Sequence, residues 1–590
     1  MANINRALVI NYRHIFGKSN EDYARDIASL DKTTWFRILA RFNFLLRNDK
    51  KFTVFKVLSM WFREGNNEYA NDLYAKIKDA YGQKVGDDPA VITLNLWTNL
   101  TLLDEILKQD GEDVKGDDLD TERRLFNAYL SVNEIYGAKS DGITKELGKA
   151  EKGGRNLLEW MAKAVLTSLL PYNDLVNPNV IELWMTQLVK TCICFEYFEQ
   201  DHPELLKFYF QKYGIGDWRE YIKAIMPVID HAVNHYQGGL GYLSIEHSED
   251  KAKAKMFLDS LSLTNEVIYE VKTDFIHARS NPLFKMDEET YLVIDQVLVI
   301  NKMYNSIFFE MLQLLKGNKV STASYKSFFQ VYTTEFIENY LSYKLLNRIH
   351  GNRLFYHLTG QEIKEKFGLH TEPDYYARNG NKIFLYEIKG SIITGDAKQS
   401  FSYAEVEKEL KKKYYADEEG NKKAVLQLIE RIQLLFSDAK LYDPDRNRNA
   451  LRIYPVVLVS EVAMLTPGIN HLLNKWFRAA IDADAVLSTK KLAIHDLVVM
   501  DINSLILYND HFKNDRNLLN NMIEGYERQT NLSRIEPLPA TLTSQSQLEA
   551  LAMNMLVPFT FYLRDKIKPE MPRLFLDYAK GIFPEDKADV

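Results

Sequence analysis

The chain has 590 residues, too many for one ordinary core; at ~150 residues per domain the length alone predicts roughly four domains. Hydrophobic residues make up 46% and charged residues 26%, the balance of an ordinary soluble globular protein. A net charge of −7 excludes a basic nucleic-acid coat, so any nucleic-acid contact needs a local basic groove. Cys192 and Cys194 are the only cysteines, too few for a zinc site and in keeping with a reducing compartment. The first twenty residues lack the apolar core of a signal peptide, and no run approaches the ~20 apolar residues of a membrane span. The expected location is cytoplasmic, with no membrane partner.

Residues 1–250 read as a helical domain. In "DKTTWFRILARFNFLL" (31–46) Asp31 is placed to cap a helix whose apolar residues Trp35, Ile38, Leu39 and Phe42 fall on one face. "NVIELWMTQLVKTCICFEYFE" and "DWREYIKAIMPVIDHAVNHY" read the same way. The glycine- and charge-rich stretch 237–255 is the best boundary. Beyond it, 255–509 reads as a mixed α/β domain. Two short strands flank the acidic turn in "PLFKMDEETYLVID", and a long buried helix covers 324–349. Then come a strand near 354–358, a hairpin around Asn379-Gly380, a helix at 423–436 and strands at 452–460 and within 491–508. Residues 510–590 return to helical patterning, with a loop at 536–547. The expected fold class is α+β: a helical N-terminal region, a mixed α/β domain and a helical C-terminal segment.

The hairpin carries the chemistry. A two-residue turn at Asn379-Gly380 pairs Arg378 with Asn381, sets Asp374 opposite Leu385 and Glu372 opposite Glu387. Strand alternation then sends Glu372, Asp374, Glu387 and Lys389 to one side and Phe384, Tyr386 and Ile388 to the other. Asp374 and Glu387 become diagonal neighbours, ~7–8 Å apart at the backbone, close enough to close on one hard cation. Like charges facing each other across a sheet destabilise it, and a divalent ion reverses that cost. Lys389 stands where it can orient a metal-activated water and stabilise phosphate charge.

Pro373-Asp374, a short hairpin and Glu387-Ile388-Lys389 together resemble the PD-(D/E)xK nuclease superfamily, whose core runs helix, three strands, helix, strand. The resemblance extends in element order over residues 260–500. It implies a restriction-endonuclease-like domain that hydrolyses DNA phosphodiesters with Mg²⁺, for which Mn²⁺ can substitute. By position it implies metal ligands at Asp374, Glu387 and the main chain of Ile388, and a catalytic lysine at Lys389. The family often adds a glutamate from the first core helix; Glu335 and Glu338 are both candidates, and Glu372 can assist. RecB-like members carry Gln-x-x-x-Tyr on the next helix, whereas here Gln427 is followed at that spacing by Arg431. Freestanding nucleases of this kind resemble effectors of bacterial defence against phage or plasmids. That implies DNA as partner, and an N-terminal region that senses, gates or forms a homo-oligomer or a contact with a defence partner protein. The alternatives are a catalytically silent nuclease-fold interaction protein and an RNA-cleaving enzyme.

Other features weigh less. Glu270-Val271-Lys272 and Glu362-Ile363-Lys364 repeat the triplet without its context, and Pro444-Asp445 repeats the Pro-Asp pair ahead of a strand that lacks the acid and lysine. Lys398, Lys411, Lys412 and Lys413 are candidate phosphate-backbone contacts; Glu407–Lys411 and Glu409–Lys413 equally fit exposed-helix ion pairs. His231 and His235 lack the glutamate of a metalloprotease motif.

Overall fold

The computed structural model describes residues 8–583 except 49–51, 83–90, 110–117, 149–153, 235–239, 271–272, 318–326, 352–354, 369–371, 438–441, 444–449 and 532–544. His235, Val271-Lys272, Pro444-Asp445 and most of the expected loop at 536–547 therefore lie outside the described residues. The fold is α+β, with helices before and after a central mixed sheet. Asp31 caps the helix Lys32–Asn48: its Oδ1 accepts the Thr34 N–H at 2.8 Å. Cys192 and Cys194 are buried free thiols in the helix Val180–Asp201, and burial pushes both above the ordinary thiol range. Among the described residues, no helix is long and apolar enough to cross a membrane.

The two strands around the acidic turn form an antiparallel hairpin, Leu283–Lys285 with Thr290–Val293. They belong to a separate four-stranded sheet whose far strand, Tyr242–Ser244, also pairs with Thr290–Val293. Hydrogen bonds thus join chain on both sides of the 250–255 boundary expected from the sequence.

The main sheet has five strands: β1 (Tyr356–Thr359), β2 (Tyr375–Asn379), β3 (Lys382–Lys389), β4 (Arg452–Val459) and β5 (Val498–Asp501). Their spatial order is β5-β4-β3-β2-β1. β1, β2 and β3 form an antiparallel meander; β4 and β5 run parallel to β3. The helix α1 (327–350) precedes β1 and packs on β3, and α2 (Ala424–Ser437) packs on β3 and β4 from the other face. α1 is π-helical over Val331–Leu341 and α-helical over Ser342–His350.

β3 explains its own position. No residue from Ile383 to Ile388 is more than 1% exposed. Phe384, Tyr386 and Ile388 join a core with Tyr454, Val456 and Leu458, while Ile383 and Leu385 join Tyr376, Val457 and Val459 on the opposite face. A strand apolar on both faces must sit between two layers of helix.

The hairpin corrects the expected register. The turn residues are Gly380 and Asn381, and Asn379 pairs with Lys382. Gly380 has φ +63°, while Asn379 stays in the strand. Placing Asn379-Gly380 in the turn asks for positive φ at both in the type I′ geometry; putting glycine first asks it of the residue that has no Cβ to clash. The shift moves each strand's partner by two positions, which preserves the alternation of faces. Extending the ladder by one pair sets Asp374 opposite Glu387, not Leu385.

A buried charge cluster braces the helical region away from the sheet. Glu310, on the helix Ile307–Gly317, bonds Lys302 and Tyr213 and lies 3.1 Å from Lys212. Burial alone would raise its carboxyl, but the charges of Lys302 and Lys212 and their hydrogen bonds outweigh it and hold the pKa at about 2. Because this folded-state value lies below the ordinary 4.5, the stabilisation is full above pH 4.5 and fades as pH falls toward 2. Glu310→Gln leaves Lys302 buried without its charge partner and is expected to cost about 3–5 kcal/mol in urea denaturation at pH 7. The gap between wild type and variant should close on acidification; a gap constant from pH 7 to pH 3 would contradict the assignment.

Candidate active site

The sheet gathers the acids at the C-terminal end of β3. Asp374 lies just before β2, where its Oδ2 accepts the Ile388 N–H at 2.6 Å. In the extended register Ile388 faces Pro373, which has no N–H, so residue 373 offers the Ile388 carbonyl no donor. Glu387 is 1% exposed. Its Oε2 lies 3.4 Å from Lys389 Nζ and its Oε1 3.4 Å from Arg431 Nε on α2. Lys389 Nζ is also 3.9 Å from Asp374 Oδ2.

Of the two helix glutamates, the geometry brings Glu338 to this point. Its Oε1 accepts the Gly390 N–H at 3.1 Å, immediately after β3. Glu335 instead accepts a hydrogen bond from the Tyr197 hydroxyl at 3.4 Å, in the helical N-terminal region. Glu372 turns toward Lys364, 3.1 Å away, and its backbone carbonyl accepts from Arg431 Nε at 3.0 Å. Gln427 lies one turn before Arg431 on α2; its buried side-chain oxygen has no hydrogen-bond partner among the described residues.

The electrostatics follow from burial. Desolvation, then the Asp374 charge, pushes Glu387 up to about 8 despite Lys389 and Arg431, and the two carboxyls share a hydrogen bond. Glu338 rises to about 7, from burial and then Asp374 against the opposing pull of Lys389. Burial would lower Lys389, but Asp374, Glu387 and Glu338 outweigh it and raise it to about 12. Lys389 is therefore an ammonium at neutral pH. A proton between two acids offsets the same repulsion that a cation would.

The donor chemistry suits a hard divalent ion. Asp374, Glu387, Glu338 and the Ile388 carbonyl offer only oxygens, the ligands that Mg²⁺ and Mn²⁺ prefer. Among the described residues, no three His, Cys, Asp or Glu side chains already stand as a ready ligand set. The smaller set of two acids and one carbonyl, with Lys389 beside it, is what the fold assembles.

The expected basic contacts are occupied differently. Lys398 is 4% exposed and locked between Glu461 at 2.8 Å and Asp274 at 3.3 Å, so it is an interior ion-pair residue, not a surface phosphate contact. Lys411 pairs with Glu407 at 3.3 Å and Lys413 with Glu409 at 2.9 Å, the i,i+4 pairings of one helix, and Lys412 reaches Glu418, 3.4 Å away beyond the helix end.

Two residues of the site stood outside the sequence expectations. Arg431 was visible only as a mismatch to a motif. Gly390 gave no signal, yet a Cβ there would lie 2.8 Å from the Thr333 carbonyl of α1. This close approach lets Glu338 reach the end of β3. Gly390→Ala must push α1 off the strand, and is expected to lower stability by about 1–3 kcal/mol in urea titration. An unchanged midpoint would show that the helix yields freely.

Comparison with protein-family models, with curated proteins and with solved structures found no significant match to this chain.

Proposed function

We propose that this chain is a metal-dependent nuclease that hydrolyses DNA phosphodiester bonds, as its resemblance to the PD-(D/E)xK superfamily implies. The observation that carries the reading is the convergence of Asp374, Glu387 and Lys389 at one end of the sheet. The order α1, β1, β2, β3, α2, β4 supports it, since helix, three strands, helix and strand is the core that family shares. A role in bacterial defence, in the cytoplasm and with a sensing partner or a second copy, belongs to the same proposal and rests on analogy of fold.

Asp374, Glu387 and the Ile388 carbonyl would hold Mg²⁺, which supplies a water of lowered pKa and positive charge at the phosphate. Lys389, kept protonated by the neighbouring acids, donates hydrogen bonds toward the same pocket and stabilises a phosphate oxygen as negative charge builds. The Ile388 N–H and Gly390 N–H hold one oxygen each of Asp374 and Glu338, fixing both carboxylates before substrate arrives. Burial of Glu387 keeps bulk water off its carboxylate and strengthens every charge interaction inside.

The test uses the full chain with supercoiled plasmid and, separately, a structured RNA. Conversion of plasmid to nicked or linear form with Mg²⁺, abolished by EDTA, is expected. Asp374→Ala and Lys389→Ala should each lower the rate by roughly 10²–10⁴-fold, the loss typical of removing a positioned catalytic group. Variants cutting as fast as wild type would defeat the assignment, and cleavage confined to RNA would change the substrate.

A further inference from the structure

The departure at Arg431 has a physical meaning of its own. Its side chain is a guanidinium, a planar cation with five N–H donors. It is 8% exposed and donates to two acceptors, the Glu372 carbonyl at 3.0 Å and Glu430 at 3.2 Å, while Glu387 Oε1 lies 3.4 Å from its Nε as an ion pair. Arg431 therefore occupies one flank of Glu387 as a fixed cation. Lys389 stands by the other oxygen of Glu387, 3.4 Å away.

The remaining acceptors are few. One oxygen of Asp374 is committed to the Ile388 N–H, and one of Glu338 to the Gly390 N–H. Asp374, Glu387 and Glu338 thus face two built-in cations, Lys389 and Arg431, one beside each oxygen of Glu387. A pair of divalent ions about 3.5–4 Å apart requires carboxylate oxygens on both sides of the phosphate. Arg431 stands 3.4 Å from Glu387 Oε1, a buried carboxyl oxygen that accepts no hydrogen bond among the described residues.

We infer that Arg431 limits this site to a single divalent cation by standing permanently against Glu387 where a second ion would bind. The inference rests on the metal-dependent reading given above. Arg431 is a positioning residue: it acts on the cation and on Glu387 and makes no contact with the reacting phosphate.

Mn²⁺ alone is the probe, with free ion counted by electron paramagnetic resonance during titration of the full chain. Wild type is expected to hold one Mn²⁺ that Asp374→Ala loses. Arg431→Gln should take a second ion, or hold the first at least about tenfold more tightly, because a fixed positive neighbour is gone. Arg431→Lys, which keeps the charge, should match wild type in count, and circular dichroism reports whether each variant is folded. Two ions in wild type overturn the inference and leave the nuclease reading standing, as does a folded Arg431→Gln with wild-type count and affinity. Wild type that binds no more Mn²⁺ than Asp374→Ala overturns the nuclease reading and this inference with it. If Arg431→Gln does not fold, Arg431→Met, which also removes the charge, is titrated in its place and judged by the same outcomes.

Discussion

Two carboxylates meeting inside a protein repel each other, and much of the architecture around β3 answers that repulsion. Asp374 and Glu387 come from the adjoining ends of neighbouring strands, where Glu387 is buried and Asp374 only partly open to solvent. Lys389 and Arg431 approach Glu387 from its two oxygens at equal distances, and the backbone N–H of Ile388 takes part of the charge on Asp374. Removing either cation would leave buried charge uncompensated, which is costlier than losing the same contact at a surface. The sheet's burial on both faces is what makes these interactions strong, and it is also what makes them necessary.

Much of this was readable from residues alone, for a reason that lies in the period of a strand. Because side chains alternate strictly, a turn displaced by one position moves every partner yet keeps every face. The expected pairing of Asp374 with Leu385 was wrong, and the expected grouping of Asp374, Glu387 and Lys389 held. Helix starts such as Asp31 were equally readable, since a cap is a local bond between residues three apart. What could not be read is contact between distant segments. Whether Glu335 or Glu338 reaches the sheet depends on the rotation of α1, and that rotation depends on the π-helical stretch and on the closeness allowed by Gly390. Lys398 looked like any lysine after a strand. Its burial depends on Asp274 and Glu461, which lie far from it in sequence and from each other.

That lysine marks the seam between the helical region and the sheet. Asp274 also bonds Arg279, which bonds Asp174, so the seam is a chain of alternating charges. Among the described residues, Asp274, Phe275 and Phe401 are the non-glycine residues with positive φ, and all three lie at this seam. The rings of Phe275 and Phe401 both approach Tyr172, at 5.7 and 6.2 Å between centroids. Left-handed backbone in bulky residues costs free energy and persists only where surrounding contacts over-determine it. Here those contacts are buried ion pairs and aromatic packing.

The sharing of one apolar core has a practical outcome for anyone who would cut the chain apart. Tyr375, Phe384, Tyr386 and Ile388 pack within the same continuous layer as residues from Ile10 to Ile582. A fragment trimmed to the sheet and its nearest helices would bare an aromatic surface that water cannot wet cheaply, and such surfaces cause proteins to clump. Solubility of shortened versions is therefore governed less by where a linker can be found than by whether both helical coats travel with the sheet.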